Sequence, residues 1–370
     1  MRNNYPGEKK PFKFRLSEFN ISFLDKTLRM KKRPNIFDYA TSELSQDAFL
    51  TWLIQWADKD YREIDSSLNA CAISFVQELL GKDNSYKIET VEAGRQWNNI
   101  DVWALVNNQY FLVIEDKKGT KEHSDQLNRY SEIAKNHYEK SEIEIKLVYF
   151  KMEEQGKYSD IKNAGFLIFQ RSKMLSILEH YVNSTEKSMQ NDIIVDYHKN
   201  LDNLNKKINS YLTKPLNEWY WYSWQGFYSE LQKHIGGNWE YVSNAAGGFL
   251  GFWWNWNYSK IDGKEFEYYL QLEQDKFVFK LYAYKENERR EIRDFYRRHL
   301  YKKAKELNVE ISQFGRLGAY MGVAKLNSEY RLTNENGLLN IQATVDNLKN
   351  IMKLINETEK EIKAHNKVYS

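Results

Sequence analysis

The alternation of apolar and polar residues along the chain first predicts two helices. Apolar side chains recur at every third or fourth position across 48–56, shortly after the capping candidates Thr41 and Ser42. The same spacing recurs across 65–80. A basic and polar lead-in at residues 1–35 precedes them. We therefore expect the first domain to begin with a pair of amphipathic helices.

The pattern then changes to shorter runs that are typical of strands. Such runs lie at 87–93, Ile100–Val106 and 110–115. The three residues at 107–109 separate the last two runs, and this short spacing predicts a tight hairpin turn. The next four elements are a helix at 124–138, a strand at 143–150, a short strand at 166–169 and a helix at 174–182. This order predicts an α/β domain over residues 36–184.

A second domain is predicted beyond Pro215, where the composition changes. The preceding residues 185–214 are polar with periodic apolar positions, which predicts a helical connector. Beyond the proline, seven of the eleven tryptophans fall within 38 residues. The elements predicted there are strands at 249–257, 266–273 and 277–284, a basic helix at 288–307 and a last helix at 341–362. Residues 215–370 are therefore expected to form an α+β domain.

Composition argues against two classes of protein. The chain has 370 residues, of which 42% are hydrophobic and 15% aromatic, far more than a disordered chain carries. Its mean hydropathy of −0.74 and the lack of an apolar run of about 18 residues argue against a membrane protein. A single cysteine, Cys71, excludes an intrachain disulfide, and the basic N-terminus has no apolar segment typical of a secretory signal. We therefore expect a cytoplasmic protein that does not bind membranes.

The net charge gives no indication of a nucleic-acid partner, because 54 basic and 51 acidic residues leave only +3. The placement of particular charges is more informative. Asp101 lies near the start of the second predicted strand, and Glu115 ends the third, followed by Asp116 and Lys117. In a hairpin the start of one strand lies beside the end of the next, so Asp101 and Glu115 should meet. Alternation then places Glu115 and Lys117 on one face and Asp116 on the other.

Two carboxylates and an ammonium group at a sheet edge favour Mg²⁺ or Mn²⁺, which prefer oxygen ligands. Such a site can activate water and polarise a phosphoryl oxygen, while the lysine orients the water or helps to deprotonate it. The pattern D…(D/E)-x-K formed by Asp101, Glu115 and Lys117 resembles the signature of the PD-(D/E)XK nuclease superfamily. The proline of that name is absent, as in many members, because Ile100 precedes the aspartate.

Two further features are similar to members of this superfamily. Gln126 and Tyr130 form a Q-x-x-x-Y motif on the helix after the signature strand. Glu43 lies on the helix before the sheet, where the family often carries an additional metal-binding acid. The resemblance covers roughly residues 36–180. It implies a restriction-endonuclease-like αβββαβ core with a mixed central sheet, to which the second domain is added.

The resemblance also implies a role for each of these residues. Three acids would bind the metal ion: Asp101, Glu115 and Glu43. Lys117 would be the water-orienting base, and Gln126 and Tyr130 would brace this lysine or contact substrate phosphate. Glu43 has the alternative role of an acid that stabilises the helix N-terminus, and Asp47, one turn further, could replace it at the metal.

The activity implied is Mg²⁺-dependent hydrolysis of nucleic acid, with DNA favoured over RNA, in bacterial defence, restriction or repair. The alternative is a non-catalytic nucleic-acid-binding or assembly protein with the same fold.

For the second domain, we interpret the tryptophans as a core or an interface rather than a stacking surface. The basic helix carries Arg293 and Arg297 one turn apart. This spacing is consistent with a phosphate-binding stripe and equally with an ordinary solvated face. This domain would bind substrate, or mediate a homodimer or contact with a partner protein.

Overall fold

The computed structural model describes residues 33–117, 125–244 and 247–369, with side chains described up to residue 364. The predicted lead-in at 1–35 lies outside the described residues except for its last three positions. Among the helices of the described ranges, none combines the length and the apolar character that crossing a membrane requires.

Five strands form a mixed sheet in the first domain. In order across the sheet they are β1 (Val91–Trp97), β2 (Ile100–Val106), β3 (Tyr110–Lys117), β4 (Glu144–Lys151) and β5 (Leu167–Gln170). The helices are α1 (Glu43–Gln55), α2 (Ser66–Leu80), α3 (Gln126–His137), the short α4 (Ser159–Asn163), α5 (Arg171–Ser184) and α6 (Asp192–Ile208). Strands β1 to β3 are antiparallel, whereas β4 and β5 run parallel to β3. The predicted αβββαβ core with a mixed sheet is confirmed.

The hairpin of β2 and β3 has the tight turn that the sequence predicted. Asn107 and Asn108 have φ angles of 53° and 49°, a left-handed conformation that short hairpin turns need and that asparagine tolerates. The turn sets a register in which Val102 lies opposite Ile114. The start of β2 and the end of β3 therefore lie next to each other.

Helices cover both faces of this sheet. On one face α1, α2, α5 and α6 pack around a core that includes Leu53, Phe75 and Leu178. On the other face Tyr130 of α3 packs with Phe111 in a smaller cluster. Strand β3 is consequently buried along its whole length after its first residue, including its charged end.

Helix α6 lies in the region predicted as a connector at 185–214. The ring of Tyr197 stacks on Phe49 with 3.8 Å between centroids, and Leu201 packs in the same core. Just beyond the helix, Tyr211 packs in the core of the second domain. We propose that this segment both connects the domains and completes the first core.

The second domain has a six-stranded antiparallel sheet with helices on one face. Across the sheet the strands are β10 (Ile311–Gln313), β11 (Tyr320–Leu326), β9 (Lys276–Ala283), β8 (Lys264–Glu273), β7 (Phe249–Ile261) and β6 (Asn238–Val242). The helices are α7 (Trp221–Ile235), α8 (Arg289–Glu306) and α9 (Ile341–Tyr369). Trp224, Trp239 and Trp254 are buried in its core, while Trp221 and Trp256 are exposed. The confirmed fold class is thus an α/β domain with an additional α+β domain.

The two domains touch at the loop after β4. Gly156 of this loop lies against Trp239 of β6, where an added Cβ would come within 2.1 Å of the Trp239 carbonyl oxygen. Gln232 of α7 donates a hydrogen bond of 2.7 Å from Nε2 to the Gly156 carbonyl oxygen. The loop is therefore held against the second sheet at a point where only glycine fits without a shift.

Candidate active site

The β2–β3 register brings the predicted acids together. Continuing the pairing of Val102 with Ile114 by one residue sets Asp101 beside Glu115. Asp101 Oδ2 accepts a hydrogen bond of 3.2 Å from the backbone N–H of Asp116, which holds this carboxyl group against β3. Two carboxyl groups from neighbouring strands thus share one edge of the sheet.

Glu115 and Lys117 lie on the same face of β3, as alternation along a strand requires. Lys117 Nζ is 2.5 Å from Glu115 Oε1, and the two side chains are only 10% and 0% exposed. Removing one partner of a buried ion pair leaves an uncompensated charge, which is strongly unfavourable. The glutamate therefore fixes the position of the lysine.

Asp116 is directed to the other side of β3, toward helix α1. Its Oδ1 accepts a hydrogen bond of 2.6 Å from Gln46 Nε2. The next residue of α1, Asp47, is buried and interacts with the Asp116 carboxyl group. The structure therefore adds a second buried carboxyl pair, Asp47 and Asp116, next to the predicted one.

Burial raises the pKa of all four carboxyl groups. Burial and the neighbouring Asp101 raise the pKa of Glu115 to about 8, although Lys117 acts in the opposite direction. Burial and Asp101 also raise the pKa of Asp47 to about 6. The pKa of Asp116 is raised by burial and by Asp47, and that of Asp101 is raised by burial. Crowded carboxylates of this kind need a cation to stay ionised at neutral pH.

Lys117 supplies one positive charge to this cluster. Burial lowers the pKa of its ammonium group, but the hydrogen bond to Glu115 and the charges of Glu115 and Asp101 outweigh burial and raise it. Glu43 is half-buried in the first turn of α1, and its negative charge also raises the pKa of Lys117 and of Asp101. Glu43 and Asp47 are therefore both close enough to influence the site.

Several buried carboxyl oxygens of this cluster have no hydrogen-bond donor within the described ranges. Among the described residues, no donor bonds to Glu115 Oε2, Asp116 Oδ2 or Asp47 Oδ1. Such atoms are costly when unpaired, and oxygen-rich sites suit a divalent cation. The described side chains do not form a ready set of three ligands. Such a donor set suits a divalent cation that is held by one or two carboxylates, with water in the remaining positions.

The Q-x-x-x-Y pair is joined internally. Gln126 Nε2 donates a hydrogen bond of 2.8 Å to the Tyr130 hydroxyl group, and the buried tyrosine ring packs under α3. Within the described ranges, neither residue hydrogen-bonds to Lys117 or Asp101. The structure therefore brings the two residues to each other, and their contact with the lysine or with phosphate stays a prediction.

Lys151 is a residue of this site that the sequence prediction missed. It ends β4 as the register partner of Lys117 and is 4% exposed. Burial lowers the pKa of its ammonium group, while the charges of Glu153, Asp116 and Glu43 oppose this effect. The predicted strand at 143–150 stopped one residue short of it. The available signal was a lysine at the end of β4, because β4 lies next to β3, the strand that carries Glu115 and Lys117.

Arg293 and Arg297, predicted to contact substrate, lie in the second domain on α8. Their side chains are 15% and 18% exposed, and Arg297 Nε donates a hydrogen bond of 3.3 Å to the Val323 carbonyl oxygen. The neighbouring Arg290 and Arg298 are exposed instead. Arg293 and Arg297 are thus partly packed against the second sheet, and their contact with substrate stays a prediction.

A mixed αβββαβ sheet, with an acid at the start of its second strand and Glu-x-Lys at the end of its third, defines a nuclease-type α/β domain. Residues 34–212 match the family model of the PD-(D/E)XK nuclease superfamily. The protein belongs to this superfamily through its first domain, as the sequence resemblance indicated. Comparisons with curated proteins and with solved structures gave no match.

Proposed function

We propose that this protein is a divalent-metal-dependent nuclease that hydrolyses phosphodiester bonds of nucleic acid. The observation that carries this proposal is the convergence of Asp101, Glu115 and Lys117 at one sheet edge, with 2.5 Å between Lys117 Nζ and Glu115 Oε1. The family of the first domain supports the same class of reaction.

Asp101 and Glu115 would hold Mg²⁺ or Mn²⁺, together with Asp47 or Glu43 from the adjacent helix α1. When bound, the ion supplies Lewis acidity to the phosphoryl group and to water. The chain itself fixes the two carboxyl groups through the hairpin register and through the Asp116 N–H. It also keeps this edge largely free of bulk water, which strengthens every charge interaction there.

Lys117 orients the attacking water and balances charge. Glu115 holds its ammonium group in place, and the neighbouring acids keep its pKa raised, so that it is protonated at neutral pH. A protonated lysine donates hydrogen bonds to water and to phosphoryl oxygens. It thereby stabilises the negative charge that develops as the new P–O bond forms.

We favour DNA as the substrate because nucleases of this superfamily mostly cut DNA, and a bacterial defence, restriction or repair role follows from the same resemblance. We propose that the second domain selects the substrate, with Arg293 and Arg297 as candidate phosphate contacts, or recruits a partner.

The test is incubation of the purified protein with single- and double-stranded DNA and RNA, in Mg²⁺, in Mn²⁺ and in EDTA. We expect metal-dependent cleavage by the wild type and its loss in Asp101→Ala and Lys117→Ala. A variant at an exposed position, Lys59→Gln, should cleave normally. If the wild type binds these nucleic acids but cleaves none of them with either metal, the protein is a non-catalytic binder with a nuclease fold.

A further inference from the structure

A crevice between the two domains opens beside the candidate active site. It has a volume of about 270 Å³ and lies between the end of β4 with its following loop and the residues of α7 and β6. Lys151 lines this crevice and is also the register partner of Lys117. Neighbouring strands are about 5 Å apart. The crevice thus begins at the strand next to the one that carries Lys117.

The walls of the crevice suit a flat ligand better than a phosphate. Trp221 and Tyr241 are 41% and 47% exposed, and their rings meet edge to face with centroids 5.8 Å apart. The lining also contains three acids, of which Glu154 is paired with Arg171 at 2.6 Å, and Lys151 is the one cation in it among the described residues. Carboxylates repel phosphate, whereas aromatic rings stack on any base. Phosphate is therefore favoured at the Lys151 end and a base farther in.

We propose that this crevice binds an unpaired nucleobase of the substrate next to the cleaved phosphate. The base stacks on one of the two rings, Trp221 or Tyr241, and contacts the edge of the other, because the rings are inclined by 63°. The inference rests on the proposed nuclease function and adds a substrate class, which is nucleic acid with a single-stranded segment at the cleavage point. A paired base reaches the crevice only after it leaves its stack, which is unfavourable.

Binding is measured separately from cleavage, by fluorescence anisotropy of labelled oligonucleotides with the full-length protein in EDTA. The probes are single strands rich in dA, dC or dT, their RNA counterparts and a blunt DNA duplex. We expect all the single strands to bind about tenfold more tightly than the duplex, because an aromatic ring stacks on any unpaired base. A wild type that prefers the duplex would overturn the proposal.

Two variants and one control locate the binding. Trp221→Ala and Tyr241→Ala each remove one exposed ring and should weaken single-strand binding about tenfold. Tyr258→Ala removes a ring that is 53% exposed on β7 outside the crevice lining, and it should bind as the wild type does. Circular dichroism melting confirms that each variant is folded.

The outcomes separate this inference from the nuclease proposal. If the wild type cleaves nucleic acid but folded Trp221→Ala and Tyr241→Ala bind single strands normally, the crevice proposal is wrong and the nuclease proposal stands. If the wild type does not cleave but both variants lose single-strand binding relative to Tyr258→Ala, the crevice proposal stands and the nuclease proposal fails. Equal losses in all three aromatic variants would overturn the assignment to the crevice.

Discussion

Lys117 and Lys151 are register partners at the ends of two parallel strands, and the pKa values of their ammonium groups shift in opposite directions. Burial lowers both pKa values, but the hydrogen bond from Lys117 to Glu115 and the surrounding acids reverse the effect for Lys117 alone. Lys117 is thus already stabilised as a cation. The Lys151 ammonium group is the less stabilised of the two cations, and a nearby substrate phosphate would favour its charged form.

Replacement of these two lysines should therefore affect catalysis differently. Lys117→Ala is expected to lower kcat about 10²–10⁴-fold, because it removes the group that orients water. Lys151→Gln is expected mainly to raise KM, because it removes a phosphate contact. Steady-state kinetics on an oligonucleotide that the wild type cleaves measures both constants, with Lys59→Gln as the exposed control. Equal losses of kcat in both variants would contradict this division of roles.

The metal-free protein should lose stability as the pH rises from about 4 to about 8. The pKa values of Glu115 and Asp47 in the folded protein are raised to about 8 and about 6, so the folded state retains protons that the unfolded state has released. The stability that these retained protons contribute is fully present below the ordinary pKa values of about 4. It is lost as the pH rises toward the raised pKa values of the folded protein. Thermal unfolding in EDTA measures this loss. The melting temperature of a domain of this size should fall by about 2–4 °C for each kcal/mol of unfolding free energy that is lost.

Two controls accompany this measurement. Glu115→Gln no longer titrates at this position, so its melting temperature should depend less on pH over the same range. Mg²⁺ should raise the melting temperature of the wild type more at pH 8 than at pH 5, since ionised carboxylates are its ligands. If Glu115→Gln has the same pH dependence as the wild type, Glu115 does not carry the raised pKa.

Asp47 should contribute more to metal binding than Glu43. Asp47 is 2% exposed and has a carboxyl oxygen without a donor among the described residues, whereas Glu43 is half-buried at the start of α1. We expect Asp47→Asn to weaken Mn²⁺ affinity about tenfold or more and Glu43→Gln to weaken it less. Isothermal titration with Mn²⁺ gives both affinities. The reverse order would identify Glu43 as the third acid, as the family resemblance implied.

Gly156→Ala should destabilise the contact between the domains. Its new Cβ would come within 2.1 Å of a backbone oxygen of Trp239, which cannot move aside as a flexible side chain could. We expect the free energy of unfolding to fall by about 1–3 kcal/mol, which is typical when an atom is added to a packed contact. Urea unfolding measures it against Gly318→Ala, where the nearest atom to an added Cβ is 3.9 Å away. Similar midpoints for both variants would show that the loop can shift.

The hairpin of the site could be predicted because its determinants are local. The asparagines at 107–108 set the turn, and the turn sets the register that pairs Asp101 with Glu115. Strand β1 was placed wrongly, at 87–93 instead of Val91–Trp97. It continues through Gly94, a weak strand former that is accommodated because the ring of Trp103 fills the space where a Cβ would lie.

Contacts between distant segments could not be predicted in the same way. The pairing of Asp47 with Asp116 depends on how α1 lies on the sheet, and the position of Lys151 depends on a parallel strand pairing with no local signature. Helix α7 was not predicted at all, because the aromatic run at its start is more typical of strands. The sequence also could not decide which side of α8 faces solvent, and so which of its arginines are exposed.

The path of helix α6 bears on how proteins of this kind can diversify. Leu201 is the last buried residue of this helix in the first core, and Tyr211 is the first residue after it that packs in the second core. A recombination breakpoint between these two residues would leave each core intact, whereas a breakpoint before Tyr197 would remove part of the first core. A transplanted second domain would therefore have to begin after Leu201 and bring Tyr211 with it.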